Sequence, residues 1–270
     1  MPITILIDQS IMARTSCMRW IRRENPATPF ANKELGAERL SLEPNDNRQA
    51  EIDAIYTIGR EMRETRLSAY SSLELAFERR ADDFGQNPLD AFEGCEIDSV
   101  EVPISRGHFF QGPLDEFILK GGKKDRKNGE NVGLSQISFL KWLCSLEPKT
   151  IDKILVSPIG RQLSEFEKQS FGQLDWFKSL ANELKSDENL PDGLHIWTAE
   201  RNEIDFFLTL DQRLINQIDG IVSRRKPFEL STRVVSPLQL LDELGVPSLG
   251  SPPIEPNRLY YFTEIPQRWP

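Results

Sequence analysis

The sequence predicts an α/β fold in which a parallel sheet of about five strands carries helices on both faces. Short apolar runs alternate along the chain with stretches that have one apolar and one charged side. The runs at 3–7 and 206–210 are almost continuously apolar, which is typical of strands buried on both faces of a parallel sheet. The middle of the chain follows this alternation poorly, so we expect insertions there.

The first part of the chain predicts two strands, each with a helix after it. In order, the predicted elements are a strand at 3–8, a helix at 10–24, a long loop or insertion at 25–48, a helix at 49–65, a strand at 67–70 and a helix that starts at 71–74. The loop is rich in Pro, Asn and Asp, and Ser71 with Glu74 forms the Ser-x-x-Glu pattern of a helix start.

The remainder predicts an irregular middle and a regular final part. In order, its elements are a strand at 100–102, a basic loop at 120–131, a helix at 136–147, a strand at 154–156, a helical stretch at 162–187, a helix at 192–203, a strand at 205–210, a helix at 212–223, a strand and turn at 233–237 and a helix at 238–244. We therefore expect one α/β domain over 1–245, with insertions at about 25–48 and 79–160, and a proline-rich tail over 246–270 that lies extended on the surface. Tyr260, Tyr261 and Phe262 are candidates to anchor this tail.

The composition limits the possible partners. With a net charge of −9, the chain lacks the overall basic character of a nucleic-acid binder, so any contact with RNA must come from local patches. Cys17, Cys95 and Cys144 form neither a disulfide framework nor a zinc-ligand spacing, and reduced thiols suit a cytoplasmic protein. The N-terminus lacks the features of a secretory signal, and no apolar run approaches the ~20 residues that span a bilayer.

Four acids are predicted to stand where strands end or helices begin, namely Asp8, Glu74, Asp192 and Asp211. In a parallel sheet these positions lie at one edge, where ligands bind, so the four carboxylates would repel one another unless a divalent cation neutralised them. Each acid alone could be a turn former or a helix cap, and Glu78 could replace Glu74 as a ligand. The coincidence of all four at one edge predicts a metal-dependent enzyme.

Two local patterns in the chain resemble a known signature. Residues 192–199 (DGLHIWTA) and 205–211 (DFFLTLD) resemble the D-x-L-H-x-x-T-A and D-x-F-L-T-x-D signature of the PIN-domain ribonuclease family. Residues 68–74 resemble the strand and helix that deliver its second acid, and the strand before Asp8 and residues 234–241 match its terminal elements. The resemblance covers both ends of the chain and little of the middle.

The resemblance implies a small parallel sheet flanked by helices, and three or four carboxylates that bind Mg²⁺ or Mn²⁺. The implied reaction is hydrolysis of an RNA phosphodiester bond. General chemistry agrees, because Mg²⁺ prefers oxygen ligands and a bound metal lowers the pKa of water. Asp205 stands at the start of its strand, at the wrong end for the site, and is expected to be structural.

Other residues could support such a site. Ser10 and Thr209 could orient a ligand or water, or could simply bond to the local backbone. His195, one turn after Asp192, could touch substrate or tune a metal ligand, but a satisfied, half-buried histidine is the favoured interpretation. The candidate phosphate contacts are Lys120, Lys123, Lys124, Arg126, Lys127 and Arg14.

Three functions remain open at this point. The favoured one is a metal-dependent endoribonuclease of the toxin or RNA-processing type, which would take an RNA substrate and could have an antitoxin, another protein or a second copy as partner. The second is a catalytically silent PIN-like binding scaffold. The third, a small-molecule metal phosphohydrolase, ranks last because Asp8-Gln9-Ser10 is followed by no phosphate-binding glycine turn or aspartate nucleophile motif.

Overall fold

The computed structural model describes residues 2–24, 33–40, 43, 45–75, 89–109, 134–224, 228–255, 258–261 and 264–265. Within them the strands are β1 (Ile3–Ile7), β2 (Met18–Glu24), β3 (Lys33–Arg39), β4 (Leu67–Ser72), β5 (Ile97–Val100), β6 (Phe206–Leu208), β7 (Arg233–Val235) and β8 (Leu259–Tyr260). The α-helices are α1 (Gln9–Met12), α2 (Asp46–Arg63), α3 (Leu134–Ser145), α4 (Pro148–Val156), α5 (Glu165–Gly172), α6 (Leu174–Leu184), α7 (Leu190–Arg201), α8 (Gln212–Val222) and α9 (Pro237–Leu244).

A five-stranded parallel sheet forms the centre of the fold, in the order β5-β4-β1-β6-β7, which confirms the predicted fold class. The chain moves outward from β1 through β4 to β5, then returns to the other side of β1 with β6 and β7. The strand order therefore reverses between β1 and β6. In doubly wound sheets, the crevice at the carboxyl ends of such a strand pair is where ligands bind.

Helices cover both faces of this sheet, as predicted. Ile5 and Ile7 of β1 pack against α2 and α9 on one face, whereas Leu6 packs against α6, α7 and α8 on the other. Phe206, Phe207 and Leu208 of β6 alternate in the same way. The continuous apolar runs of β1 and β6 in the sequence follow from this arrangement, because both faces of these two strands are buried.

A third apolar core lies within the helical layer formed by α3, α5, α6 and α7, with α4 packed on its outside. Trp197 of α7 stacks on Phe177 of α6, with their ring centroids 4.9 Å apart. Val102 and Ile104, which follow β5, join the same core and so attach this layer to the parallel sheet. Among the described residues, no helix is both long and apolar enough to cross a bilayer.

The predicted helix at 10–24 is wrong. A long loop or an insertion is predicted for residues 25–48, and the loop is wrong at Lys33–Arg39, which form β3. Helix α1 ends at Met12, and β2 pairs with β3 over seven residues in a small antiparallel sheet whose third strand is β8. Met18 is buried there and Arg19 is exposed, which is the two-residue period of a strand. β8, which pairs with β3, comes from the far end of the chain, so no local pattern could indicate this third strand.

The C-terminal tail completes this small sheet. Tyr260 is buried among Met18, Ala37 and Ile254, whereas Tyr261 is exposed. Gly36 allows the close approach of β8, because a β-carbon there would lie 2.5 Å from Leu259 Cδ1. Phe262, the third predicted anchor, lies outside the described residues.

The predicted strand at 154–156 is also wrong, because these residues belong to α4. Ile151, Ile154 and Leu155 have helical spacing and are half-buried, while Val156 is 76 % exposed. Pro148 begins this helix, a position that proline favours. A three-residue apolar run cannot by itself distinguish a strand from one side of a helix.

Two smaller corrections concern element boundaries. The helical stretch at 162–187 consists of two helices, α5 and α6, which Gln173 separates. The strand predicted at 100–102 is β5, which begins three residues earlier, at Ile97, and ends at Val100. It pairs with β4 in the main sheet.

Candidate active site at the carboxyl edge of the sheet

Asp8 follows β1 at the point where the strand order reverses. Its Oδ1 accepts a hydrogen bond from Gln9 N at 2.8 Å, so Asp8 caps α1. Its Oδ2 accepts the hydroxyl protons of Ser10 and of Thr209, the latter at 2.7 Å. Three donors therefore hold this carboxylate in one orientation, and hydrogen bonds to an ionised acceptor are stronger than neutral ones.

Ser10 and Thr209 join the ends of β1 and β6. Each hydroxyl gives its single proton to Asp8 and accepts a backbone N–H from the chain after β6: Leu210 N bonds to Ser10 Oγ, and Asp211 N to Thr209 Oγ1, both at 3.0 Å. The structure thus brings Asp8, Ser10, Thr209 and the backbone of Asp211 into one hydrogen-bonded group. Both hydroxyls are committed in donor and acceptor roles, which fixes the geometry of Asp8.

Asp211 begins α8 at the same edge of the sheet. Its Oδ1 accepts hydrogen bonds from Arg213 N at 2.8 Å and Leu214 N at 3.1 Å, so it is the N-cap of this helix. The residue is exposed to solvent. The capping role uses one carboxylate oxygen and leaves the side chain accessible from outside.

Glu74 follows β4 and is buried together with Arg106. Arg106 Nε lies 3.1 Å from Glu74 Oε1 and 3.0 Å from Oε2, and the two residues are 5 % and 3 % exposed. The register of β1 with β4, continued by two residues, places Asp8 level with Ser72. The helix cap predicted at Ser71 is displaced by one residue, because the hydroxyl of Ser72, not that of Ser71, accepts a backbone N–H three residues later, from Leu75.

Sequence reasoning missed Arg106. It lies in a single turn of 3₁₀ helix, Arg106–His108, six residues beyond β5. The rule that ligand-binding residues follow strand ends could have found it, had β5 been placed correctly. Nothing in the local sequence around Arg106 indicates that its partner is Glu74.

Asp192 lies in the first turn of α7 and not at its N-cap, because this helix begins at Leu190. The carboxyl end of α7 leads directly into the start of β6, so its N-terminal end lies toward the carboxyl edge of the sheet. Asp192 is half-buried. The topology therefore places it at the same edge as Asp8 and Asp211.

His195 is more deeply buried than the half-buried histidine expected from the sequence, whereas Asp205 has the structural role expected of it. His195 is 2 % exposed, and its ring centroid lies 6.3 Å from that of Phe207 in the core. Asp205 Oδ2 accepts hydrogen bonds from the backbone N–H and the hydroxyl of Thr4, at 2.9 and 2.8 Å. Asp205 thus joins β1 to β6 at the edge opposite the candidate site.

The candidate ligands fit Mg²⁺ or Mn²⁺ in their chemistry, because they offer carboxylate and hydroxyl oxygens. Within the described part of the chain, no three Asp, Glu, His or Cys side chains lie close enough together to hold an ion. The carboxylates of Asp8, Glu74 and Asp211 instead accept hydrogen bonds from hydroxyls, from Arg106 and from helix N–H groups respectively.

Five of the six predicted phosphate contacts lie outside the described residues, namely Lys120, Lys123, Lys124, Arg126 and Lys127. Glu78, the alternative second acid, is outside them too. Arg14 is described: its Nη2 lies 2.9 Å from Glu43 Oε1, and the side chain is partly exposed.

The three cysteines show no sign of activation as nucleophiles. Burial raises the pKa of the thiols of Cys17, Cys95 and Cys144 above the ordinary value. A thiol with a raised pKa carries less thiolate at neutral pH and reacts more slowly. All three are free, as expected.

Comparison with other proteins adds no relative: no family model matches the chain, and neither does any curated protein or solved structure. The resemblance to PIN-domain ribonucleases therefore stays a prediction that rests on the quoted motifs. Function must be inferred from the chemistry at the carboxyl edge of the sheet.

Proposed function

We propose that the protein is a metal-dependent endoribonuclease that hydrolyses RNA phosphodiester bonds at the carboxyl edge of its parallel sheet. The observation that carries this proposal is the position of Asp8 and Asp211. They follow the two strands between which the strand order reverses, which is the usual ligand position in such sheets. The local motifs that resemble the PIN-domain ribonucleases support the same conclusion.

We propose that Asp8, Glu74, Asp192 and Asp211 would hold Mg²⁺ or Mn²⁺, which requires at least three of these side chains to come closer together than they are in the structure. When bound, the ion would supply a water of lowered pKa and stabilise the charge that develops on the phosphate. Ser10 and Thr209 keep Asp8 in position, because both of their hydroxyl protons are committed to Asp8 Oδ2. A side chain that hydrogen bonds already hold in its working orientation does not have to reorganise when the reaction takes place, which saves free energy.

The proposed partners follow from charge. RNA would meet a chain with a net charge of −9, so contacts must come from basic side chains such as Arg14 and those of 120–127. An antitoxin, another protein or a second copy of the chain is a further proposed partner. We propose the cytoplasm as the location, because the thiols are free.

A cleavage assay tests this function. Single-stranded RNA of mixed sequence is incubated with the protein and either Mn²⁺ or EDTA, beside Asp8→Asn and the control Asp205→Asn. We expect cleavage only with Mn²⁺, a loss of about a hundredfold or more in Asp8→Asn, and the wild-type rate in Asp205→Asn. Cleavage in EDTA, or by Asp8→Asn at the wild-type rate, would show that the site is elsewhere.

A catalytically silent binding scaffold is the second candidate. The pairing of Glu74 with Arg106 favours it, because this acid is already neutralised by the protein itself. The two candidates differ in their response to metal. If Mn²⁺ at millimolar concentration fails to bind, as measured by calorimetry, the scaffold replaces the nuclease as the proposed function.

A further inference from the structure

Glu74 and Arg106 form an ion pair that is fixed from several sides. Arg106 belongs to the turn Arg106–His108, which is held by the buried Glu167 at the start of α5. Glu167 Oε1 accepts the N–H of Ser105 at 2.9 Å, and Oε2 lies 3.2 Å from His108 Nε2. The guanidinium is therefore a cation of fixed position, not a side chain that is free to move away through solvent.

The opposite end of β4 provides a comparison. There the buried carboxylate of Glu61 pairs with Arg66, whose Nη2 lies 2.8 Å from Glu61 Oε1. The arginine of this second pair is half-exposed, whereas Arg106 is buried with its partner. The two pairs thus differ in the burial of their cation and in the edge of the sheet at which they lie. Glu61 also has a second arginine partner, because Arg60 Nη2 lies 3.1 Å from its Oε1.

A buried cation at the carboxyl edge has a consequence for metal binding. Burying two charges costs free energy that their attraction must offset, so the pair is most stable when it stays intact. A divalent cation at the same carboxylate would have to compete with the guanidinium and would be repelled by it.

We propose that Arg106 is a positioning residue that holds Glu74 at the candidate site and, as a fixed cation, weakens the binding of divalent metal there. This inference rests on the proposed function, because it takes Glu74 as a metal ligand. It predicts that the affinity for metal follows the net charge of the pair. Removing the arginine tightens binding, removing the glutamate weakens it, and removing both restores the wild-type affinity.

The test is Mn²⁺ binding to the full-length protein, measured by calorimetry at pH 8 for the wild type, Arg106→Gln, Glu74→Gln and the double variant. We expect Arg106→Gln to bind about tenfold or more tightly than the wild type, and Glu74→Gln to bind about tenfold or more weakly. The double variant should return to within about threefold of the wild type. The rise in Tm on adding Mn²⁺ should follow the same order.

Arg66→Gln is the matched control, because it removes a guanidinium from a buried carboxylate at the other end of β4. Its Mn²⁺ affinity should equal that of the wild type. If Arg106→Gln fails to fold by circular dichroism, Glu74→Gln and the double variant still give the answer. Removing the arginine in the Glu74→Gln background must tighten binding.

The outcomes separate this inference from the proposed function. If the wild type binds Mn²⁺, Asp8→Asn does not, and changes at Glu74 and Arg106 have no effect, then the role of Arg106 and the assignment of Glu74 as a metal ligand are overturned. The nuclease proposal then stands on Asp8, Asp192 and Asp211. Equal effects of Arg66→Gln and Arg106→Gln would also overturn it. If neither the wild type nor any variant binds Mn²⁺, both proposals fail.

Discussion

Asp8 shows how a single carboxylate can be both a structural cap and a candidate functional group. One oxygen caps α1, and the other receives two hydroxyl protons from Ser10 and Thr209. A cap alone needs only one acceptor. The additional hydroxyls from two different strand ends are what distinguish Asp8 from an ordinary helix start.

Thr209→Val tests this arrangement, because valine has the same shape without the hydroxyl. Asp8 then loses a donor and Asp211 N loses its acceptor. We expect a loss of about 1–3 kcal/mol in the free energy of unfolding, measured with urea, and slower RNA cleavage. Thr232→Val is the control: Thr232 is also buried and donates to Ile204 O, away from the site, so it should lose stability without losing cleavage. An equal loss of cleavage in both variants would contradict a role for Thr209.

The cysteines give a prediction about chemical reactivity. Burial raises the pKa of all three thiols, so at pH 7.5 each carries less thiolate than a free cysteine. Alkylation by iodoacetamide, followed by mass spectrometry, should therefore be slower than for a model peptide. Its rate should rise as the pH is raised beyond the ordinary thiol pKa. Rapid alkylation of Cys17 at pH 7.5 would contradict this.

At the scale of elements, Glu51 of α2 connects the start of α9 to α2. Glu51 Oε1 accepts the hydroxyl proton of Ser236 at 2.9 Å, and Oε2 accepts Leu238 N at 2.8 Å. A negative charge at a helix N-terminus is also favourable. α9 thus begins where an acid from another helix completes its cap.

Glu51→Gln is expected to lower the free energy of unfolding by about 1–2 kcal/mol, because glutamine keeps one acceptor and loses the charge. The measurement is urea denaturation at pH 7. Unchanged stability would mean that the capping box of Ser236 with Gln239 is enough to start this helix.

The small antiparallel sheet yields another prediction at this scale. Tyr260 is buried among Met18, Ala37 and Ile254, so Tyr260→Ala removes much of the apolar contact between β8 and β3. We expect amide hydrogen exchange in β2 and β3 to accelerate, while β1 and β6 stay protected. If exchange rises equally in both sheets, they unfold as one unit and the prediction is wrong.

The strands that could be predicted from sequence are those whose own apolar residues reveal their burial, whichever strands they pair with. β1 and β6 are buried on both faces, so their apolar runs identify them. β2 could not be predicted, because its arginines allow a helix, and β8, which pairs with β3 and completes the same sheet, lies more than 200 residues away. For the same reason the edge positions of Asp8 and Asp211 followed from sequence, whereas the pairing of Glu74 with Arg106, across 32 residues, did not.

At the scale of the whole molecule, the chain is acidic and the RNA proposed as its substrate is a polyanion. The net charge of −9 opposes RNA binding unless local basic residues and a metal offset it. The affinity of Asp8→Asn for RNA should fall steeply as salt rises, with a slope of roughly one per neutralised phosphate. Replacing Lys123 and Lys124 with glutamine should reduce that slope. A salt slope that is unchanged would remove the basic loop from the proposed contacts.

Asp211→Asn, assayed for both stability and RNA cleavage, tests the central claim most directly. Asparagine is as good an N-cap as aspartate, so the start of α8 should keep its hydrogen bonds and the Tm should be unchanged. It lacks the negative charge that a metal needs, so Mn²⁺-dependent cleavage of single-stranded RNA should fall by about a hundredfold or more. Cleavage at the wild-type rate by a stable Asp211→Asn protein would contradict the claim that the carboxyl edge of this sheet is an acidic metal site for RNA hydrolysis.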